Sequence, residues 1–192
     1  SLDSTYDVIK RLAESGENVR GLHFSRNFGK EAAISAGLAS AAGDCAVVID
    51  CDLQHPPEKI VEMYRLWEKG YEIVEGVKTD RGKESACHRL LAKCFYSVIG
   101  GLSGFDMANS SDFKLIDRKV IDILNKIPER KGFFRAITHW VGFRKTTVGF
   151  EVAKRTEGES KWSPYGLVRY ALSNIAAYSA APMQIVTVLG VI

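Results

Sequence analysis

The stretch from Cys45 to Pro57, CAVVIDCDLQHPP, constrains this chain more than any other. Ala46-Val47-Val48-Ile49 is a short, β-branched run, the pattern of a strand buried on both faces of a sheet. It ends in two aspartates one residue apart, Asp50 and Asp52, followed by Gln54, His55 and two prolines. Open α/β sheets bind ligands beyond the carboxyl ends of their strands, so carboxylates released there are placed for chemistry. Asp-x-Asp also offers two hard oxygen ligands to one divalent cation such as Mg²⁺ or Mn²⁺. Taken alone, the pair reads equally well as a solvated turn.

Helix and strand patterns on either side give that strand a context. Asp3-Ser4-Thr5 supplies N-cap residues for a helix running to about Glu14, and Val19 to Phe24 predicts a strand. Lys30 to Ala42 is alanine-rich and stops at Gly43, a helix able to pack closely on a sheet. Pro57 opens a helix whose apolar face runs through Ile60, Val61, Tyr64 and Leu66-Trp67 to Gly70. Further strands are expected at Tyr71 to Val77, Phe113 to Ile116 and Lys145 to Ala153. Helices are expected at Ser85 to Leu102, Lys119 to Leu124 and Gly132 to Trp140. Strands alternating with helices argue for an α/β fold with a mostly parallel sheet.

At 192 residues, with 46% apolar and 26% charged side chains, the chain has a globular composition and is long enough for one domain with a real core, and not clearly for two. A net charge of +3, with no long basic run, gives no case for a nucleic-acid partner. Cys45, Cys51, Cys87 and Cys94 form no C-x-x-C pair and read as free thiols in a reducing compartment.

Four polar clusters follow strands. The first is Arg26-Asn27-x-Gly29-Lys30, where a glycine and two cations opening a helix suit a phosphate or nucleotide, or simply make a turn. The second is Asp50-x-Asp52-x-Gln54. The third is Asp112, between a serine pair and an apolar strand, where a lone aspartate is ordinarily a cap or turn residue. The fourth is Arg155-x-x-Gly158-x-Ser160-Lys161-Trp162-Ser163, equipped to hold an anion under a tryptophan. A cation site, an anion clamp and a spare carboxylate together fit group transfer from a diphosphate donor.

The motifs SRNFGKEAAISAG (Ser25 to Gly37), VVIDCDLQHPPE (Val47 to Glu58), SSDFKLIDR (Ser110 to Arg118) and EGESKWS (Glu157 to Ser163) resemble, in order and spacing, the family 2 glycosyltransferases of GT-A fold. Within that family the pattern is most similar to the polyprenyl-phosphate sugar transferases, meaning dolichyl-phosphate mannose synthases and bactoprenol glucosyltransferases. The resemblance implies that Asp50 faces the nucleotide ribose or the metal, and that Asp52 binds Mg²⁺ or Mn²⁺ beside Gln54. Asp112 matches the proposed base toward the acceptor phosphate. Arg26, Asn27 and Lys30, together with Arg155, Ser160 and Lys161, fall at donor-binding positions. Lys78, Arg81, His88 and Arg89 fall where the family binds the lipid phosphate, although Ala92 stands where relatives carry a serine.

The same resemblance makes residues 1–163 a GT-A catalytic domain lacking its first two strands, because Ser1 to Thr5 matches the end of the family's second motif. From Pro164 to Ile192 the only charged side chain is Arg169. Residues 164–181 read as an amphipathic helix, either on a bilayer surface or packed on the domain. Residues 182–192 are too short to span about 30 Å of hydrocarbon and read as the start of a transmembrane helix.

The expectation is thus an inverting, metal-dependent hexosyltransferase working at the cytoplasmic face of a membrane. It would use UDP-glucose or GDP-mannose as donor and undecaprenyl or dolichyl phosphate as acceptor, and a homo-oligomer is left open. A soluble saccharide acceptor, or a non-catalytic nucleotide-binding or membrane module, are the alternatives.

Overall fold

The computed structural model describes residues 4–16, 18–79, 110–127 and 134–151, with Thr187 and Gly190. Through them the chain forms α1 (Thr5–Glu14), α2 (Lys30–Ser40), β1 (Cys45–Val48), α3 (Lys59–Glu68) and β2 (Ile73–Lys78). There follow β3 (Lys114–Asp117), α4 (Arg118–Leu124), α5 (Phe134–Trp140) and β4 (Lys145–Phe150). The four strands lie in the order β1-β3-β2-β4.

Alternation along the strands divides the core into two. Ala46 and Val48 of β1, Ile73 of β2 and Ile116 of β3 face a cluster with Ile34 and Leu38 of α2, Val120, Ile121 and Leu124 of α4, and Phe134 of α5. Cys45, Val47, Val74, Leu115, Val148 and Phe150 point the other way, onto Ile60, Met63, Leu66 and Trp67 of α3. The sheet therefore lies between α2, α4 and α5 on one face and α3 on the other. Gly76 lets the second layer close: a Cβ there would lie 2.5 Å from Phe113 and 3.1 Å from both Met63 and Phe150. Asp117 joins the elements, its carboxylate capping α4 through the Lys119 amide (2.9 Å) and accepting the Trp67 indole N–H of α3 (2.7 Å).

The sheet is mixed, which corrects the expectation of a mostly parallel one. β2 and β4 pair parallel, but β3 runs antiparallel to both its neighbours, β1 and β2. Helix–strand alternation fixes which elements follow one another, whereas the direction of β3 depends on how the chain returns from β2. β1 is only half-buried along its length rather than fully buried, because among the described residues it pairs on one side alone. Val19 to Phe24 forms no strand: it makes no ladder with a described strand and lies against α1, with the Tyr6 ring stacked on His23 at 4.2 Å. The helix of Ser85 to Leu102 and the segments 164–181 and 182–192, apart from Thr187 and Gly190, lie outside the described residues. Among the described residues no helix is long and apolar enough to cross a membrane.

Candidate active site

The register of β1 on β3 assembles the site. Val48 pairs with Lys114 and Cys45 with Asp117, so the ladder continued two residues further sets Asp50 opposite Asp112. Two carboxylates across from one another repel unless a cation joins them. Lys30 is that cation. Its ammonium lies 2.8 Å from Asp50 Oδ2 and 2.7 Å from Asp112 Oδ2.

Local structure ahead of α2 delivers Lys30 to this point. Asn27 Oδ1 accepts the Gly29 amide at 2.8 Å, and Gly29 takes a left-handed φ of 91°, a turn that glycine makes without strain. The helix then begins at Lys30. Glu31, the next residue, accepts the Phe134 amide at 2.9 Å and so fixes the start of α2 against the start of α5. Burial pushes the Glu31 carboxyl up, against the pull of that bond.

From α5, Arg135 completes the cluster with a two-pronged pair: Nε to Asp112 Oδ1 at 2.8 Å and Nη2 to Oδ2 at 2.9 Å. Asp112 is 5% exposed. Burial alone would raise its pKa, but the Arg135 guanidinium and the Lys30 ammonium outweigh it and hold the carboxyl at about 2. Burial likewise opposes the charge of Lys30, and its bonds to Asp112 and Asp50 overcome that and raise its pKa. Asp112 therefore stands as a carboxylate between two cations.

The loop after β1 turns sharply. Leu53 has a φ of 59°, a left-handed conformation rare for a bulky side chain, and its side chain is exposed. The turn brings the Gln54 amide onto Asp52 Oδ1 at 3.2 Å. His55 is buried with its ring against Phe113 and Phe150 at 5.2 and 5.3 Å, and its Nδ1 has no hydrogen-bond partner among the described residues.

Beneath the exposed cluster lies a second, buried one. Glu75 Oε1 accepts the Ser110 hydroxyl (2.8 Å) and the Ser111 amide (2.7 Å), with the Lys114 ammonium at 3.3 Å. Lys114 also donates to Thr138 Oγ1 at 2.7 Å. Lys145 Nζ lies 2.8 Å from His139 Nδ1, and a lysine can only donate, so Nε2 carries the proton presented to Glu75 Oε2 at 3.3 Å. Burial acts to raise the Glu75 carboxyl, yet His139, Lys114 and the serine bonds bring it down to about 2. Lys114 is fully buried and its pKa is lowered by that burial.

Of the residues expected at the site, the structure brings together Lys30, Asp50 and Asp112. Asp52 and Gln54 lie on the loop that follows Asp50. Asn27 is engaged in the turn before α2, and Arg26 is exposed with its guanidinium over the Phe28 ring at 4.7 Å. Lys78 is exposed at the end of β2. Arg81, His88, Arg89, Arg155, Ser160 and Lys161 lie outside the described residues. Arg135, Glu31, Glu75 and Lys114 were not anticipated. A lone arginine flanked by Phe134 and Ala136 on an apolar helix was the available signal for Arg135. Among the described residues, no group of three or more His, Cys, Asp and Glu side chains is disposed around a common metal position.

Comparison with known proteins gives this geometry a family. Residues 1–139 match the model of "Glycosyl transferase family 2". The chain is 38% identical over 191 residues to an uncharacterized glycosyltransferase of Synechocystis, covering 99% of this chain and 60% of that protein. It is 36% identical over 193 residues to the prophage bactoprenol glucosyl transferase homolog of Escherichia coli, covering 100% of this chain and 63% of that protein. The bactoprenol glucosyl transferase of Shigella phage SfV is also 36% identical, over 99% of this chain and 62% of the phage protein. The chain thus spans about three fifths of the length of these relatives. With the family model matching well over half of its residues, the chain belongs to glycosyl transferase family 2.

Proposed function

We propose that the chain is the catalytic part of an inverting glycosyltransferase that moves a hexose from a nucleotide diphosphate sugar to a polyprenyl phosphate at the cytoplasmic face of a membrane. The observation that carries this reading is the Lys30-bridged pair of Asp50 and Asp112 at the carboxyl end of β1, backed by Arg135. The names of the phage and prophage relatives support the lipid-phosphate acceptor and glucose as the sugar.

Mg²⁺ or Mn²⁺ fits the donor set of Asp50, Asp52 and Gln54. A hard cation of this kind is held by one or two carboxylates and completes its shell with water and substrate phosphates, so a full protein cage is not required. The ammonium already seated on Asp50 Oδ2 marks that oxygen as a cation-accepting position. When bound, the ion would neutralise the charge that develops on the departing diphosphate.

The chain's own residues do the rest. The acceptor is a phosphate oxygen that already carries negative charge near neutral pH, so it needs no strong base. A carboxyl held at about 2 is a poor one. Asp112 instead keeps Arg135 and Lys30 side by side, and those cations offset the meeting of two anionic substrates. The acceptor oxygen bonds to the anomeric carbon as the bond to the diphosphate breaks, in one displacement with inversion. Arg26 and Asn27, with Arg155, Ser160 and Lys161, would hold the donor. Lys78, Arg81, His88 and Arg89 would receive the lipid phosphate.

The test is a donor screen with the full-length protein, undecaprenyl phosphate and Mn²⁺ or Mg²⁺, alongside Asp52→Ala. Lipid-linked hexose that disappears in the variant supports the reading. Undiminished transfer by Asp52→Ala removes the metal assignment, and transfer only to a water-soluble saccharide moves the acceptor to the alternative class.

A further inference from the structure

We propose that Lys30 is a tethered cation: it holds Asp50 in readiness in place of the divalent ion and releases it when the ion binds, while keeping its bond to Asp112. The inference rests on the metal reading above and adds to it a positioning residue with a defined exchange.

The two bonds of Lys30 differ in kind. Asp112 is 6% exposed at its side chain and is pinned by the Arg135 fork, whereas Asp50 is 35% exposed and Lys30 itself 44%. A solvated pair contributes little, and a pair with one buried, hydrogen-bonded partner contributes more. The Asp50 bond is therefore the one that yields. Lysine suits the exchange, because an ammonium on a four-carbon stem has three rotatable donors and can drop one partner without losing the other.

An incoming dication needs the same carboxylate. Lys30 Nζ lies 2.8 Å from Asp50 Oδ2, so an ion bound at Asp50 and Asp52 would sit close to a like charge. The ammonium and the ion thus compete for Asp50. While the ion is absent, Lys30 also screens Asp50 from Asp112, which faces it across the strand register. Once Asp50 is taken over, Lys30 stays with Asp112 beside Arg135.

Mn²⁺ binding without nucleotide, followed by electron paramagnetic resonance on the full-length protein, tests the exchange. Lys30→Met is expected to bind Mn²⁺ about three- to tenfold more tightly than wild type, and Lys30→Arg to remain within about twofold of it. Amine acetylation of the wild-type protein, read by mass spectrometry, gives a second measure independent of any variant's folding. Saturating Mn²⁺ is expected to raise acetylation of Lys30 about threefold or more. Lys59, paired with Glu62 at 2.8 Å and similarly exposed, serves as the internal control and should not change. Equal or weaker Mn²⁺ binding by Lys30→Met, with Lys30 labelling indifferent to Mn²⁺, overturns the exchange and leaves the metal reading standing. No Mn²⁺ binding by wild type or variant overturns both.

Discussion

Two charged clusters share the short segment from Ser110 to Lys114, and they differ in what surrounds them. Lys30, Asp50, Asp112 and Arg135 sit at the open end of the sheet, where Lys30 and Asp50 remain in contact with solvent. Glu75, Lys114, Thr138 and His139 lie one step further in, and there each described charge is matched by hydrogen bonds within the protein. Both contain a carboxylate held at about 2, so a perturbed acid does not by itself distinguish a reactive site from a structural one. Access does. The outer cluster is open to exchange with solvent, whereas the inner one ties α5, the segment before β3 and β2 together and thereby sets where Arg135 stands.

The sharpest way to break this contrast is to unpair the inner cluster. Lys114→Ala should cost about 3–5 kcal/mol, since it leaves Glu75 buried with one fewer cation. The combined Glu75→Gln, Lys114→Met substitution should recover more than half of that loss. Urea unfolding monitored by circular dichroism measures both, and an Ala variant within about 1 kcal/mol of wild type would show that the inner cluster is not structural.

Acid stability probes the two clusters together. Asp112 and Glu75 have folded-state pKa values of about 2, against roughly 4 for an unfolded carboxyl. Each therefore contributes stability that is complete above about pH 4 and is lost as pH falls toward 2, by about 2 kcal/mol for Asp112. Asp112→Asn should flatten the pH dependence of stability in that window. A slope between pH 4 and 2 equal to wild type would mean that Asp112 is not held ionised.

Packing beneath the clusters predicts a similar or slightly smaller effect. Gly76→Ala drives a methyl group into Phe113, and about 1–2 kcal/mol of destabilisation is expected in the same unfolding assay. The smallest effect belongs to the turn that launches α2. Asn27→Ala removes one exposed side-chain bond to Gly29 and should lower the melting temperature by a few degrees or less. A larger drop would mean that Asn27 does more than shape the turn.

How much of this was readable in the sequence follows the same division. The strand Cys45 to Val48 was readable from its β-branched run, whereas the two acids beyond it read equally well as a turn until the other polar clusters were set beside them. Helices α1 to α3 were readable from caps, glycine stops and apolar spacing. The pairing of Asp50 with Asp112 was not, since it depends on an antiparallel β3 that local pattern cannot orient. Arg135 was missed for a related reason: its function is to face a carboxylate 23 residues earlier, a contact that only the tertiary arrangement creates. Nothing in the local pattern singles out Glu75 and Lys114, because they become partners only through the register of β2 on β3, which pairs them directly. The strand expected at Val19 to Phe24 had the right composition but no described ladder to join.

The central claim is that the outer cluster is where the sugar moves, with Asp112 holding cations rather than taking a proton. It is tested most directly by the turnover of full-length Asp112→Asn between about pH 5 and 9, with nucleotide sugar, undecaprenyl phosphate and Mn²⁺. The account predicts turnover lower by about a hundredfold or more, with the shape of the pH profile unchanged from wild type. Turnover equal to wild type would remove Asp112 from the site, and loss of an acidic limb in the variant would make it the base.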